Sequence, residues 1–190
     1  MAKIVLVVGH PRADTFCGAL GEAYRDGAAA AGHEATVVAL ASLAFDPILR
    51  GGYSQVQPRE PDLEAAYLDC LAADHLVLIF PLWLGDMPAL LKGFLERILQ
   101  PELIRSVKAG AFTQVLKGKS ARIIVTMGMP AFVYRWWFGS YAVKILKRNI
   151  LRFMGVGRVC VTVRGSIEAV SAEKRQRWIE AARELGRRAL

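Results

Sequence analysis

Five short apolar runs are spaced along the chain, and stretches with helical periodicity separate them. The run over residues 76–80 has no alternation of polar and apolar positions, which predicts a strand buried on both faces. Residues 4–8 are rich in β-branched side chains and predict a second central strand. The remaining strands are predicted over residues 35–40, 121–126 and 158–164.

Helices are predicted between and after these strands, over residues 16–31, 62–73, 88–99, 140–154 and 171–190. Thr15 and Ser171 are candidate N-caps. Pro81 is expected to end the third strand because it has no N–H to donate. Residues 46–61 read as a long surface loop, and residues 100–119 as an irregular excursion. This alternation predicts an α/β fold with a parallel sheet covered on both faces by right-handed crossovers.

Three loops follow strand carboxyl ends, where doubly wound sheets bind ligands. The first, residues 10–17, precedes a helix whose unpaired N–H groups could hold a phosphate, although Thr15 could instead serve only as a helix cap. The second, residues 81–84, is apolar and carries an indole that could stack on a flat ligand or fold back into the core. The third, residues 126–129, offers small and apolar residues. Together they suit a flat, phosphorylated aromatic ligand such as a flavin nucleotide.

Composition bounds the class of protein. The chain has 190 residues, of which 54% are hydrophobic and 22% charged, as expected for a single domain over residues 1–190. Its apolar runs are too short for a membrane span or a signal peptide, so a cytoplasmic location is expected. Cys17, Cys70 and Cys160 have no metal-like spacing, which predicts reduced thiols and no metal site.

Positive charge is concentrated in the C-terminal part of the chain. Residues 121–190 hold fourteen Lys and Arg against four Glu, within a net charge of +8. Such a surface could attract a phosphorylated cofactor, an anionic membrane face, an acidic partner or nucleic acid, or could simply be solvated. No nucleic-acid-reading module is visible, and neither a Rossmann glycine motif, a P-loop nor a hydrolase elbow is present.

Four blocks of sequence resemble the NAD(P)H:quinone oxidoreductases of the flavodoxin-like fold, which include ancillary proteins of potassium-efflux systems. The blocks are residues 9–12 with 15–16, residues 45–48, residues 80–83 with 87–94, and residues 126–128 with Tyr134. The resemblance implies a flavodoxin-like, doubly wound, five-stranded parallel sheet of order 2-1-3-4-5. The sequence departs from the family at Ser140, because better-known members have a histidine at this position, six residues after their tyrosine.

The resemblance also implies a set of site residues. Those implied to bind the flavin phosphate and ribityl chain are His10, Thr15, Phe16 and Cys17. Those implied to bracket the isoalloxazine ring are Pro81, Leu82, Trp83, Leu84, Thr126, Met127, Gly128 and Met129. Tyr134 is the implied catalytic residue near the reactive edge of the ring.

The function implied is two-electron hydride transfer from NAD(P)H, through bound FMN or FAD, to a quinone-like small molecule. A homodimer is expected, with the aromatic cluster of residues 132–141 in the interface or over the acceptor pocket. No nucleic-acid partner is expected, and any membrane association would be peripheral. The alternative is a flavodoxin-like regulatory subunit that docks on a membrane transport system or an acidic partner through its basic helices.

Overall fold

The apolar runs form one sheet in which all strands point the same way. The computed structural model describes residues 1–108 and 114–190. In that part of the chain the strands are β1 Lys3–Val8, β2 Glu34–Ala39, β3 His75–Pro81, β4 Ser120–Thr126 and β5 Val159–Arg164. Their order is β2-β1-β3-β4-β5, with parallel pairing throughout. The predicted fold class and strand order are confirmed. Every residue of β3 is buried, as its unbroken apolar run predicts.

Helices cover both faces of the sheet. Their bounds are α1 Phe16–Ala30, α2 Pro61–Ala72, α3 Ala89–Lys108, α4 Ala131–Trp136, α5 Tyr141–Lys144, a π-helix over Ile145–Arg152, and α6 Ala172–Arg187. α1 and α6 begin after Thr15 and Ser171, whose side chains accept hydrogen bonds from the N–H groups of Gly18 and Lys174. Both predicted caps are confirmed. None of the described helices combines the length and apolar character needed to cross a bilayer.

Pro81 is the last residue of β3, as its missing N–H donor predicts. It still pairs with Thr126, and the N–H of Leu82 donates to the Thr126 carbonyl at 2.7 Å. The expectation about the end of α3, in contrast, is wrong. α3 continues to Lys108, where an irregular excursion was predicted to begin at residue 100. Gln100 looks like an exposed polar residue but is buried, with its amide donating to the carbonyls of Gly52 and Gln55. Residues 109–113 of that predicted excursion lie outside the described residues.

The helix predicted over residues 140–154 is divided. Ser140 has a left-handed backbone (φ 53°), so helical geometry starts only at Tyr141. From Ile145 the helix widens to π geometry, in which residues five apart lie on one face. Leu146 and Leu151 have that spacing and are both buried. The wider turn therefore places both leucines toward the core. The preceding short helix α4 was not predicted.

The long loop between β2 and α2 is fastened to α3 by a buried arginine. The Arg97 side chain is fully buried and donates to the Pro58 carbonyl at 2.7 Å and to Glu60 Oε2 at 2.8 Å. It also donates to the Asp46 carbonyl. A loop that the sequence describes only as surface is thus held by charge-assisted hydrogen bonds.

Candidate functional site

The three predicted loops meet at the carboxyl edge of the sheet. The His10 and Trp83 rings are 5.3 Å apart, edge to face, and so join the first and second loops. Thr126 Oγ1 lies 3.3 Å from Cys17 Sγ, which joins the third loop to the start of α1. The bond from Leu82 N–H to the Thr126 carbonyl joins the second loop to the third. The structure therefore brings residues from all three loops together at this edge of the sheet, which we call the rim.

The first loop ends at the amino terminus of α1. Thr15 Oγ1 accepts from the Gly18 N–H at 3.2 Å, so the capping role weighed from sequence is present. The first turn of α1 contains no acidic residue. In the described part of the chain, no acceptor receives the N–H of Phe16 or Cys17. Two unpaired N–H groups at the positive end of a fifteen-residue helix are the donors that an anion requires.

His10 presents a neutral imidazole to this rim. Burial, and then the charge of Arg12, lower the pKa of His10 below its ordinary 6.5. Nδ1 accepts from the Arg12 N–H at 3.0 Å, so Nε2 carries the proton in the neutral ring. His10 can therefore donate one hydrogen bond from Nε2 without bringing a charge.

The second loop is a tight hairpin turn. Leu84 and Gly85 have φ values of 49° and 83°, and Trp83 and Asp86 are joined by two backbone hydrogen bonds of 2.8 and 2.9 Å. Positive φ at both central residues is the type I′ arrangement. Trp83 is 45% exposed, so its indole does not fold back into the core. Leu84 is fully exposed at the tip, whereas Pro81 and Leu82 are buried below it.

Backbone hydrogen bonds from the residues just after β5 hold the third loop in place. Met127 and Met129 accept backbone hydrogen bonds from Ile167 and Ser166. Thr126 and Met127 are buried, Met129 is partly buried and Gly128 is exposed. A Cβ added at Gly128 would come no nearer than 3.9 Å to another residue, at Glu168 Oε1. Gly128 therefore leaves open space above the loop.

Two predicted site residues have buried side chains. Burial raises the pKa of the Cys17 thiol to about 11, so only the backbone N–H of Cys17 is available to a ligand. Tyr134 lies on α4 with its ring 1% exposed, and its hydroxyl accepts from the Val143 N–H at 3.3 Å. Burial raises the pKa of Tyr134, so the phenol keeps its proton. The ring also lines a cavity of about 480 Å³ beside Ser140 and Val163. The catalytic role of Tyr134 stays a prediction.

An aromatic and cationic stack beside α1 was missed from the sequence. The Phe16 ring packs against Trp178 of α6 at 6.1 Å, and the charged groups of Arg164 and Lys174 lie 5.5 Å from that indole. Phe16 and Trp178 are far apart in the chain, so no local pattern could join them. Arg164, at the carboxyl end of β5, adds positive charge to the edge where the loops meet. No group of three or more metal-ligating side chains gathers among the residues described.

Comparison with known proteins identifies relatives of this architecture. A family model described as flavodoxin-like fold matches residues 2–188. An uncharacterized NAD(P)H oxidoreductase of Haemophilus influenzae is 26% identical over 144 residues, which cover 73% of this chain and 70% of that protein. The potassium-efflux ancillary protein KefG of Salmonella gallinarum is 35% identical over 82 residues, which cover 41% of this chain and 43% of KefG.

Solved structures resemble nearly the whole chain. Smu.1420 of Streptococcus mutans is 27% identical with a TM-score of 0.77, covering 97% of this chain and 98% of that one. An NAD(P)H:quinone oxidoreductase of Methanothermobacter marburgensis is 22% identical with a TM-score of 0.75, covering 97% and 94%. An FMN-dependent NADH-azoreductase of Bacillus anthracis, in complex with FMN, is 14% identical with a TM-score of 0.69, covering 99% of each chain. The last two likenesses concern the fold.

Proposed function

Because the chain belongs to the flavodoxin-like fold family whose model it matches, we propose that it is a flavin-dependent NAD(P)H oxidoreductase that reduces a quinone-like small molecule. The observation that carries the proposal is the meeting of the three loops on Thr126, beside the unpaired N–H groups of α1. Names of relatives support the same class: the Haemophilus protein is named an NAD(P)H oxidoreductase, and solved neighbours include quinone and azo reductases.

The residues present fit a flavin nucleotide. Its phosphate would accept from the N–H groups of Phe16 and Cys17 and from the Thr15 hydroxyl, and the positive end of α1 favours the anion. The ring would lie between the hairpin carrying Trp83 and the open space above Gly128. FMN is the form we propose, because solved structures of the same fold include an NADH:FMN oxidoreductase and an FMN-dependent NADH-azoreductase in complex with FMN.

A bound flavin supplies two-electron transfer between a nicotinamide and an acceptor. The chain's own residues orient and shield that exchange. The N–H groups of Gly85 and Gly128 have no acceptor in the described part of the chain and can donate to negative charge on the ring. Trp83 and Leu84 cover one side and exclude water. Tyr134 keeps its proton at neutral pH and could donate it as a hydrogen bond; we propose it as the residue closest to the acceptor.

Flavin binding by the full chain tests this proposal. The purified protein is mixed with FMN and, separately, with FAD, and quenching of flavin fluorescence gives each affinity. NADH or NADPH oxidation is then followed with and without 1,4-benzoquinone. We expect FMN to bind more tightly than FAD and the quinone to accelerate oxidation of the nicotinamide. Failure to bind either flavin would contradict the proposal.

A glycine pair supplies a matched variant and control. Gly128→Val adds a side chain where no other residue lies within 3.9 Å, so the fold should hold while the added side chain obstructs the ring. Gly157→Val is the control, because Gly157 precedes β5 at the opposite edge of the sheet and a Cβ added there would lie 3.7 Å from the Lys119 carbonyl. We expect FMN affinity to fall at least about tenfold in the first variant only. Equal affinity in both would place the ring elsewhere.

A regulatory subunit is the second candidate function. It is favoured by the identity of 35% to KefG over 82 residues and by the basic segment near α5. Such a protein would bind a transport protein whether or not it turned over a quinone. Flavin binding without any acceleration of NAD(P)H oxidation by quinone would favour this candidate over the reductase.

A further inference from the structure

The segment from α4 through the π-helix exposes an unusual number of aromatic rings. Trp136 and Trp137 are 79% and 83% exposed, and Phe132 and Tyr141 are each 66% exposed. Large exposed aromatic side chains so close together mark an interaction surface more often than an ordinary surface. We call these four residues the aromatic patch.

The same segment is strongly basic. Arg135, Lys144, Lys147, Arg148 and Arg152 lie within it, and we call these five the basic stripe. The sequence has no Asp or Glu between Glu102 and Glu168. Among the described residues, no carboxylate forms an ion pair with any member of the stripe. The positive charge is therefore not compensated within the structure.

Rings and cations are interleaved and held in place. The charged groups of Arg135 and Lys144 lie 5.9 and 5.4 Å from the rings of Trp136 and Tyr141. Leu146 and Leu151 anchor the π-helix in the core, and the Tyr134 hydroxyl binds the Val143 N–H at the start of α5. The aromatic patch and the basic stripe therefore lie on elements that are held in place by the core.

We propose that this surface binds the face of an anionic lipid bilayer, with the aromatic patch at headgroup depth and the basic stripe against the acidic lipids. Indole and phenol rings favour the interface between water and hydrocarbon, and Lys and Arg near them are attracted to acidic lipids. A second copy of the chain is a poorer fit, because symmetric pairing of this face would oppose two uncompensated stripes. Duplex nucleic acid would pair with the cations, but its bases are already stacked on one another and would leave the indoles without a partner.

Vesicle binding by the full chain tests the proposal. Co-sedimentation is measured at 150 mM salt with vesicles of phosphatidylcholine alone and with vesicles containing 30% phosphatidylserine. We expect binding to the second kind only. Each Lys or Arg at a membrane surface contributes about fivefold to partitioning, so the triple variant K144Q/R148Q/R152Q should bind up to about 100-fold more weakly.

A charge-matched control separates the stripe from net charge. R175Q/R177Q/R188Q removes three exposed cations on or just after α6, which packs on the other face of the sheet from the π-helix, and changes the net charge equally. It should weaken binding by less than about fivefold, because these residues lie away from the patch. Thermal unfolding of both triple variants verifies that they fold. Equal losses in the two variants would overturn the proposal.

Tryptophan fluorescence reports the depth of the rings. We expect a blue shift on adding the acidic vesicles, and quenching by brominated acyl chains, in wild type and in Trp83→Phe. Trp136→Phe/Trp137→Phe should lose both signals while keeping the other indoles. Persistent signals in that variant would contradict the proposed orientation. So would tighter binding to duplex DNA than to vesicles at 150 mM salt, or a homodimer in solution that shields both indoles from a soluble quencher.

Discussion

The acid sensitivity of the fold should depend on one buried histidine at the edge opposite the candidate site. His75 is the first residue of β3 and is 4% exposed. Its Nδ1 lies 2.7 Å from Ser120 Oγ, while Nε2 has no hydrogen-bond partner among the described residues. Burial, and to a smaller extent the charges of Arg122 and Arg158, lower the pKa of His75 to about 4. The imidazole is therefore neutral in the fold.

The sign and size of the effect follow from linkage. Below pH 6.5 the unfolded chain protonates this imidazole, whereas the folded chain does so only near pH 4, so the unfolded state binds more protons in that window. Because of His75, the free energy of unfolding therefore decreases as the pH falls from about 6.5 to about 4. The full difference in pKa corresponds to about 3 kcal/mol, of which about 2 kcal/mol should be lost between pH 7.5 and pH 5.

Urea unfolding at pH 7.5 and pH 5 measures this loss. In His75→Phe, the free energy of unfolding should fall by about 2 kcal/mol less over the same interval than in wild type. The two proteins have the same carboxylates, so the contribution of carboxylate titration cancels in this difference. Ser120→Ala removes the hydrogen bond to Nδ1 but keeps the histidine buried, so it should retain the pH dependence. The same pH dependence in His75→Phe and wild type would refute the reasoning.

Three further predictions concern other parts of the molecule. Because burial raises the pKa of Cys17 to about 11 and of Cys70 to about 12, iodoacetamide at pH 8 should leave both unmodified until urea is added, and mass spectrometry of the native protein showing either adduct would contradict this. Gly85→Ala should lower the free energy of unfolding by about 1 kcal/mol through its φ of 83°, and Gly85→Asn by less, as thermal or urea unfolding of both variants would show. Arg97→Met should lower the free energy of unfolding by about 2 to 3 kcal/mol, because it removes the hydrogen bonds to the partly exposed Glu60 carboxylate and to two carbonyls. Hydrogen exchange should increase first in the loop before α2, and unchanged exchange there would contradict the fastening role.

The strands and the helix starts could be predicted because they depend on local patterns, whereas the strand order was implied by the family resemblance. The apolar run of β3, the β-branched run of β1 and the cap residues Thr15 and Ser171 each specify their element within a few positions. The errors lie where distant residues satisfy polar groups. Gln100 was predicted to lie in an irregular segment because its partners, the carbonyls of Gly52 and Gln55, lie about fifty residues away.

The candidate site, too, could be predicted only in part from the sequence. Sequence position predicted that each of the three loops follows the carboxyl end of a strand, and parallel strands bring such loops to one edge of the sheet. The strand order implied by the resemblance placed these three strands side by side. Neither could predict that the Trp83 ring meets His10 edge-on, that the Cys17 thiol is buried against Thr126, or that Phe16 packs on Trp178. Those contacts depend on the twist of the sheet and on the packing of α1 against α6.

Thr126 has a consequence for how the rim responds to an incoming molecule. Its carbonyl receives the Leu82 N–H and its hydroxyl contacts the Cys17 sulfur, so one residue ties two loops to its own. Loops connected in this way are ordered before a ligand binds, so binding costs little further conformational entropy. Thr126→Val would remove the contact with the Cys17 sulfur and keep the hydrogen bond from the Leu82 N–H.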